Sequence, residues 1–167
     1  MSDESSEPAA AGTDQQRFRI HKIYLKDVSF ESPAAPAIFS GDTDVEPQVN
    51  LQVHSETQRV GESLYDVTLS MTVSGEDNER TVFLVEIKQA GLFDIAGFAN
   101  ADHNQLLGAQ CPNILFPFAR EAIAELVQRG ALPQLVLQPI NFDAVYAQQL
   151  EQRRAHTRDT VSGGAEA

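Results

Sequence analysis

The 167-residue chain fits one domain with a core of its own, and its 42% hydrophobic and 22% charged residues are ordinary for a globular fold. A net charge of −12 and a sequence pI near 4.6 oppose phosphate backbones and anionic lipid surfaces, which argues against nucleic-acid binding and favours a partner with basic segments. A single cysteine precludes an internal disulfide, and no apolar run approaches the roughly 20 residues of a membrane helix. The first residues, MSDESSEPAAAGTDQQ, have neither the basic nor the apolar region of a secretory signal, so a cytoplasmic protein without direct membrane insertion is expected.

Residues 1–16 are rich in Ser, Glu, Ala and Asp and read as a disordered acidic tail. The first strand is FRIHKIYLKDVSF. At period two it puts Phe18, Ile20, Tyr24, Val28 and Phe30 on one face, interrupted by Lys22 and Lys26, with Ile23 and Leu25 opposite. Next comes ESPAAPAIFSGDTDVEP, whose three prolines mark a long irregular connection. QVNLQVH and YDVTLSMTVS alternate cleanly and predict a second and a third strand. GEDNE is a turn, and RTVFLVEIKQAG is a fourth strand that is partly apolar on both faces and needs cover on both.

The pattern then changes to helical. FANADHNQLLGAQ predicts a short helix. The stretch CPNILFPFAREAIAELVQRG predicts a longer one starting near Asn113, with Pro117 in its first turn and Gly130 at its end. After the extended LPQLVLQP, Asn141 is expected to cap a last helix, FDAVYAQQLEQRR. Residues 153–167 read as a disordered C-terminal tail, which leaves an ordered domain at 17–152. The fold class is therefore α+β: a four-stranded antiparallel sheet with helices on one face and a crossover loop between the first two strands.

Catalytic signals are absent. His21, His54, His103 and His156 have no metal-ligand spacing, and no nucleophile elbow, P-loop or dinucleotide fingerprint occurs. No metal or cofactor is expected. Cys111 lies near a helix start and could anchor a thiol enzyme, but it has no companion histidine and reads better as a small buried residue. The positive signal is apolar residues where regular structure breaks: Ile38 and Phe39 in the proline-rich connection, Leu92 and Phe93 after the fourth strand, Phe98, then Phe116 and Phe118 at the helix mouth, in the run from Ile114 and Leu115. Two readings stand. One is a satellite core inside a structural oligomeric module; the other is an apolar groove for extended, non-native chain.

Three segments, IYLKDVSFESPAAPAIF, LVEIKQAGLFDIAG and LGAQCPNILFPFAREAIAELVQRGALPQLVLQPINFDA, together resemble the SecB family of bacterial protein-export chaperones. The resemblance runs from about Phe18 to Leu150. It implies a homotetramer, a dimer of dimers, that holds unfolded preproteins without ATP or any other cofactor and passes them to SecA, the export motor. First strands would pair across one contact, and the first long helices would pack between dimers. The family's SecA-contact positions match Asp27 and Glu31 in KDVSFE and Leu84 and Glu86 in FLVEI. Client binding would fall to Ile38, Phe39, Ile114, Leu115, Phe116 and Phe118. The chain departs from some relatives in having no tryptophan, which they carry in the crossover loop, and in the arginines of its C-terminal region.

Overall fold

Four long strands form one antiparallel sheet in the order β1-β4-β3-β2: β1 is Arg17–Glu31, β2 Gln48–Arg59, β3 Leu64–Asp77 and β4 Arg80–Ala96. The structure, a computed structural model, describes residues 15–41 and 44–162, with side chains described to residue 158. Residues 1–14 of the expected N-terminal tail, and Asp42 and Thr43 of the proline-rich connection, lie outside the described residues. β1 and β2 are opposite edges of the sheet, although they are consecutive in sequence.

Alternation sets the register. In β3, Val67, Leu69, Met71 and Val73 are buried on one face and pair with Gly91, Gln89, Ile87 and Val85 of β4. The β3–β4 hairpin closes through Asn78 and Glu79, both with positive φ, a two-residue turn whose twist matches that of the strands. A register irregularity between Gly75 and Glu76 lets consecutive residues Val82 and Phe83 both enter the core. Gly75 is required there, because a Cβ would collide with the Phe83 ring. β4 runs to Ala96, five residues beyond its expected end at Gly91, because Phe93 and Ile95 continue the buried row.

β1 corrects the simple period-two reading. Its register against β4 shifts between Ile20 and Lys22 and again between Leu25 and Asp27. Each bulge reverses the parity. Phe18, Ile20, Ile23, Leu25, Val28 and Phe30 therefore share the helix side of the sheet, while Tyr24 moves to the other face with the lysines. The two lysines that interrupt the apolar stripe in a regular strand interrupt nothing in a bulged one.

A helical layer covers one face, its long middle helix packing on the strands. α1 (Asn100–Gln105) passes through a π-helical turn, Leu106–Gln110, directly into α2 (Cys111–Arg129). The helix does not restart near Asn113, and Pro117 lies inside α2 instead of in its first turn. Pro117 is tolerated because it faces solvent, where water can donate to the carbonyl that loses its partner. The inner stripe of α2, Leu115, Phe116, Ala119, Ile123 and Val127, is buried against β4 and β3. Each large side chain so buried contributes about 1.5–3 kcal/mol. Gly130 ends α2 beside β1: a Cβ there would lie 2.5 Å from Phe30 Cζ, and the left-handed turn falls on Ala131. α3 (Phe142–Ser162) starts at the expected cap, with the Ala144 amide donating to Asn141 Oδ1 at 3.0 Å. It docks through Phe142, whose ring lies edge-on to Phe116 at 5.9 Å, and through Tyr146, whose ring packs over Gly108 in the π turn. α3 then continues to Ser162, so the tail expected from residue 153 is helical over its first ten residues.

Candidate functional site

Two surfaces carry chemistry. The first is the open face of the sheet, opposite the helices. The second bulge of β1 sets its geometry: after Lys26, the odd-numbered residues Asp27, Ser29 and Glu31 pair with Lys88, Glu86 and Leu84 of β4. The side chains of paired residues share a face, so Asp27, Glu31, Leu84 and Glu86, named from sequence, come together on two adjacent strands. Asp27, Glu31 and Glu86 are exposed and Leu84 is half-buried among them. Glu31 lies opposite Leu84 and Glu86 stands next to Leu84 along β4, while Asp27 lies two pairs further on, with Lys88 as its cross-strand neighbour. On the far side of β4, Leu84, Glu86 and Lys88 pair with Ser74, Thr72 and Ser70, which extend the face as a flat polar floor.

Beside this patch lies a tighter cluster that sequence reasoning missed. Tyr24 Oη donates to Asp66 Oδ1 at 2.7 Å, and Lys26 Nζ donates to Asp66 Oδ2 at 2.9 Å and to Thr68 Oγ1 at 3.4 Å. Asp66 is 9% exposed, and this carboxylate is compensated by a cation and a phenol from a strand two positions away. The hydrogen bond to Asp66 raises the Lys26 pKa above its ordinary value, and burial followed by the same hydrogen bond raises that of Tyr24. The signal in the sequence was the pair of lysines in an otherwise apolar strand, but their partner depends on strand order.

The second surface is a recess of about 550 Å³ between the β1–β2 connection and the segment after α2. Ile38, Phe39, Val45, Leu132 and Pro133 supply apolar walls, and Asp44 and Glu46 its acidic rim. Ile38 is buried and belongs to the core, whereas Phe39 is 50% exposed. The helix-mouth residues do not join it. Leu115 and Phe116 are core side chains under α2, Ile114 is half-buried, and Phe118 is exposed on the solvent side of the helix. The wall comes from the far end of α2, at Leu132 and Pro133, which the sequence reading did not single out. An exposed apolar row, Val49, Leu51 and Val53 on the helix side of β2, follows the recess in sequence.

Among the described residues no histidine is paired with the cysteine and no metal-ligand cluster forms. Cys111 is fully buried and its thiol is pushed up to about 12 by burial, so it is not a nucleophile at neutral pH. The four histidines occupy four different elements; His103 lies edge-on to Tyr65 at 5.0 Å. Among the described residues no group of three or more His, Cys, Asp or Glu side chains could hold a metal, and no helix is long and apolar enough to cross a membrane.

Known proteins resemble this chain in sequence and in fold. The sequence model of a family described as preprotein translocase subunit SecB matches residues 11–153. Protein-export protein SecB of Nitrosococcus oceani is 46% identical over 92% of this chain and 93% of its own. The protein of the same name from Halorhodospira halophila is 48% identical over 93% and 90%. A SecB-like chaperone of Mycobacterium tuberculosis, solved in complex with a ChAD peptide from an antitoxin, shares the fold with a TM-score of 0.60 at 20% identity, covering 74% of this chain and 88% of that one.

Proposed function

Because the chain belongs to the SecB family and is a protein-export chaperone, we propose that it works as an ATP-independent holdase in the cytoplasm, taking unfolded preproteins into the recess beneath the β1–β2 connection and passing them to SecA through the acidic open face. The observation that carries the client half is the apolar recess itself, with Phe39 half exposed at its wall. An unfolded segment gains by burying apolar side chains there, and such burial is non-directional, so many sequences suffice. The recess needs no nucleotide and no reactive group. Slow-folding clients remain exposed long enough to be caught.

The SecA half rests on Glu31 and Glu86 beside Leu84, with Asp27 further along the same face of β1. Charge at such a rim steers a basic partner and sets register, while the aliphatic centre gives a small dry contact. The functional unit is a homotetramer, a dimer of dimers. The unpaired edge of β1, with Ile20, Leu25 and Val28 exposed on its helix side, suits strand pairing within a dimer. The outer side of α2, with Phe118 exposed, suits helix packing between dimers. The relatives named protein-export protein SecB support the export reading.

The test is refolding of a slow-folding, signal-bearing precursor with and without the protein, with no nucleotide added and with oligomeric mass measured alongside. Arrested refolding by a tetramer is the expected result. Normal refolding at concentrations where the tetramer persists would overturn the client half. Phe39→Ala, which leaves the core untouched, should weaken arrest.

A further inference from the structure

We propose that Asp66 is a positioning residue for the acidic face: it draws the Lys26 ammonium across the sheet and so leaves Asp27 with Lys88 beside it but no second lysine, open to a basic partner. The inference rests on the reading that this face binds SecA. Lys26 is the bulged residue of β1, and Asp27 is the next residue in the chain. Both point to the open face: Asp27 pairs with Lys88, and Lys26 reaches Asp66, which pairs with Leu92. A lysine stem is long and flexible, and an ammonium with no other partner would gather at the neighbouring carboxylates. Its actual contacts lie the other way, on β3, with Asp66 Oδ2 at 2.9 Å and Thr68 Oγ1 at 3.4 Å, and with the Glu56 charge on β2 adding attraction.

Two further features serve this arrangement. Tyr24 Oη holds the other Asp66 oxygen at 2.7 Å, which fixes the carboxylate. Ala90 of β4 lies in register between Tyr24 and Thr68, and its short side chain leaves the crossing from β1 to β3 clear. Lys88 already stands beside Asp27. Released, Lys26 would be a second cation next to it, and the patch would lose much of the negative potential that a basic surface meets.

The experiment is a titration of purified SecA against the full-length protein and its D66N, K26Q, D66N/K26Q and E86K variants, at low and at physiological salt. D66N is expected to weaken binding about three- to fivefold at low salt, the scale of one exposed charge pair, with a smaller effect at higher salt. K26Q should bind SecA at least as well as the parent. In the K26Q background D66N should have no effect, since no cation remains to be released. If D66N weakens binding equally in both backgrounds, Asp66 acts through the sheet's structure and the proposal falls. It also falls if D66N is silent while E86K weakens binding, with the SecA reading intact. A silent E86K would instead remove the SecA reading, and this inference with it. Arrest of client refolding by D66N should match the parent, which a general loss of fold would not allow.

Discussion

The two faces of the sheet are made by alternate residues of the same strands, and they do opposite work. On the helix side of β3, Val67, Leu69, Met71 and Val73 are at most 1% exposed. On the other side of the same strand, Ser70, Thr72 and Ser74 are half-exposed, and across β4 they face Lys88, Glu86 and Leu84. The covered face is held by contacts that any change of volume disturbs. Around Ser70, Thr72 and Ser74 the open face tolerates change, because side chains there meet water, whereas the Asp66 cluster at its other end is hydrogen-bonded and buried. On the proposed reading, stability and recognition are separated by one residue of register, and a substitution outside that cluster reports on one or the other according to parity. Edge strand β1 shows how narrow the separation is: without its two bulges Ile23 and Leu25 would lie on the open face.

The sharpest way to break this comparison is a pair of substitutions in β4. Phe93 is fully buried on the helix side and packs on Phe18 at a centroid distance of 5.9 Å. Phe93→Ala should cost about 4 kcal/mol, read as a lower denaturant midpoint at fixed protein concentration. Glu86→Lys on the open face should leave that midpoint within about 0.5 kcal/mol while weakening SecA binding about tenfold, since it sets a like charge against a basic partner. A Glu86→Lys protein that lost stability as Phe93→Ala does would show the two faces to be coupled. Between these lies Gly108→Val. The new side chain would collide with the Tyr146 ring and lift the start of α3 from the π turn, so proteolysis within α3 should accelerate while the sheet remains folded.

How much of this could be read from the residues alone follows the same division. Clean alternation in QVNLQVH and YDVTLSMTVS gave β2 and β3, and CPNILFPFAREAIAELVQRG gave α2 and its end at Gly130. Asp27, Glu31, Leu84 and Glu86 were named through a family resemblance, and the register then brings them together, because local spacing in two strands that pair is enough. Three things were hidden. Bulges leave no local trace in FRIHKIYLKDVSF beyond two awkward lysines. The π turn lets one helix run through Pro112, so a proline that normally announces a start does not. The recess joins residues 38–46 to 131–133, a contact set by strand order and helix length; that is why Leu115 and Phe116 were placed in the groove on apolarity alone when they belong to the core.

The smallest predicted effect tests a charge network at one end of the sheet that bears on stability. At the start of β1, Arg17 Nε donates to Asp94 Oδ2 at 2.6 Å and Arg17 Nη2 to Oδ1 at 3.0 Å, while Ser63 Oγ donates to Oδ1 at 2.6 Å. The bidentate guanidinium and the hydroxyl hold the Asp94 carboxyl down at about 2, below its ordinary 3.8. The folded state therefore binds this proton less readily than the unfolded chain. The contribution is fully present above about pH 4 and is lost as the pH falls through 2. Asp94 joins β1 to β4 and, through Ser63, to the β2–β3 connection, so its loss frays three elements at one end of the sheet. Asp94→Asn should lower stability slightly at neutral pH and flatten the decline between pH 4 and pH 2, measured as denaturant midpoints across that range. A variant whose acid profile parallels the parent's would show that the Arg17 latch adds nothing to the fold, and that the packed face alone sets its acid stability.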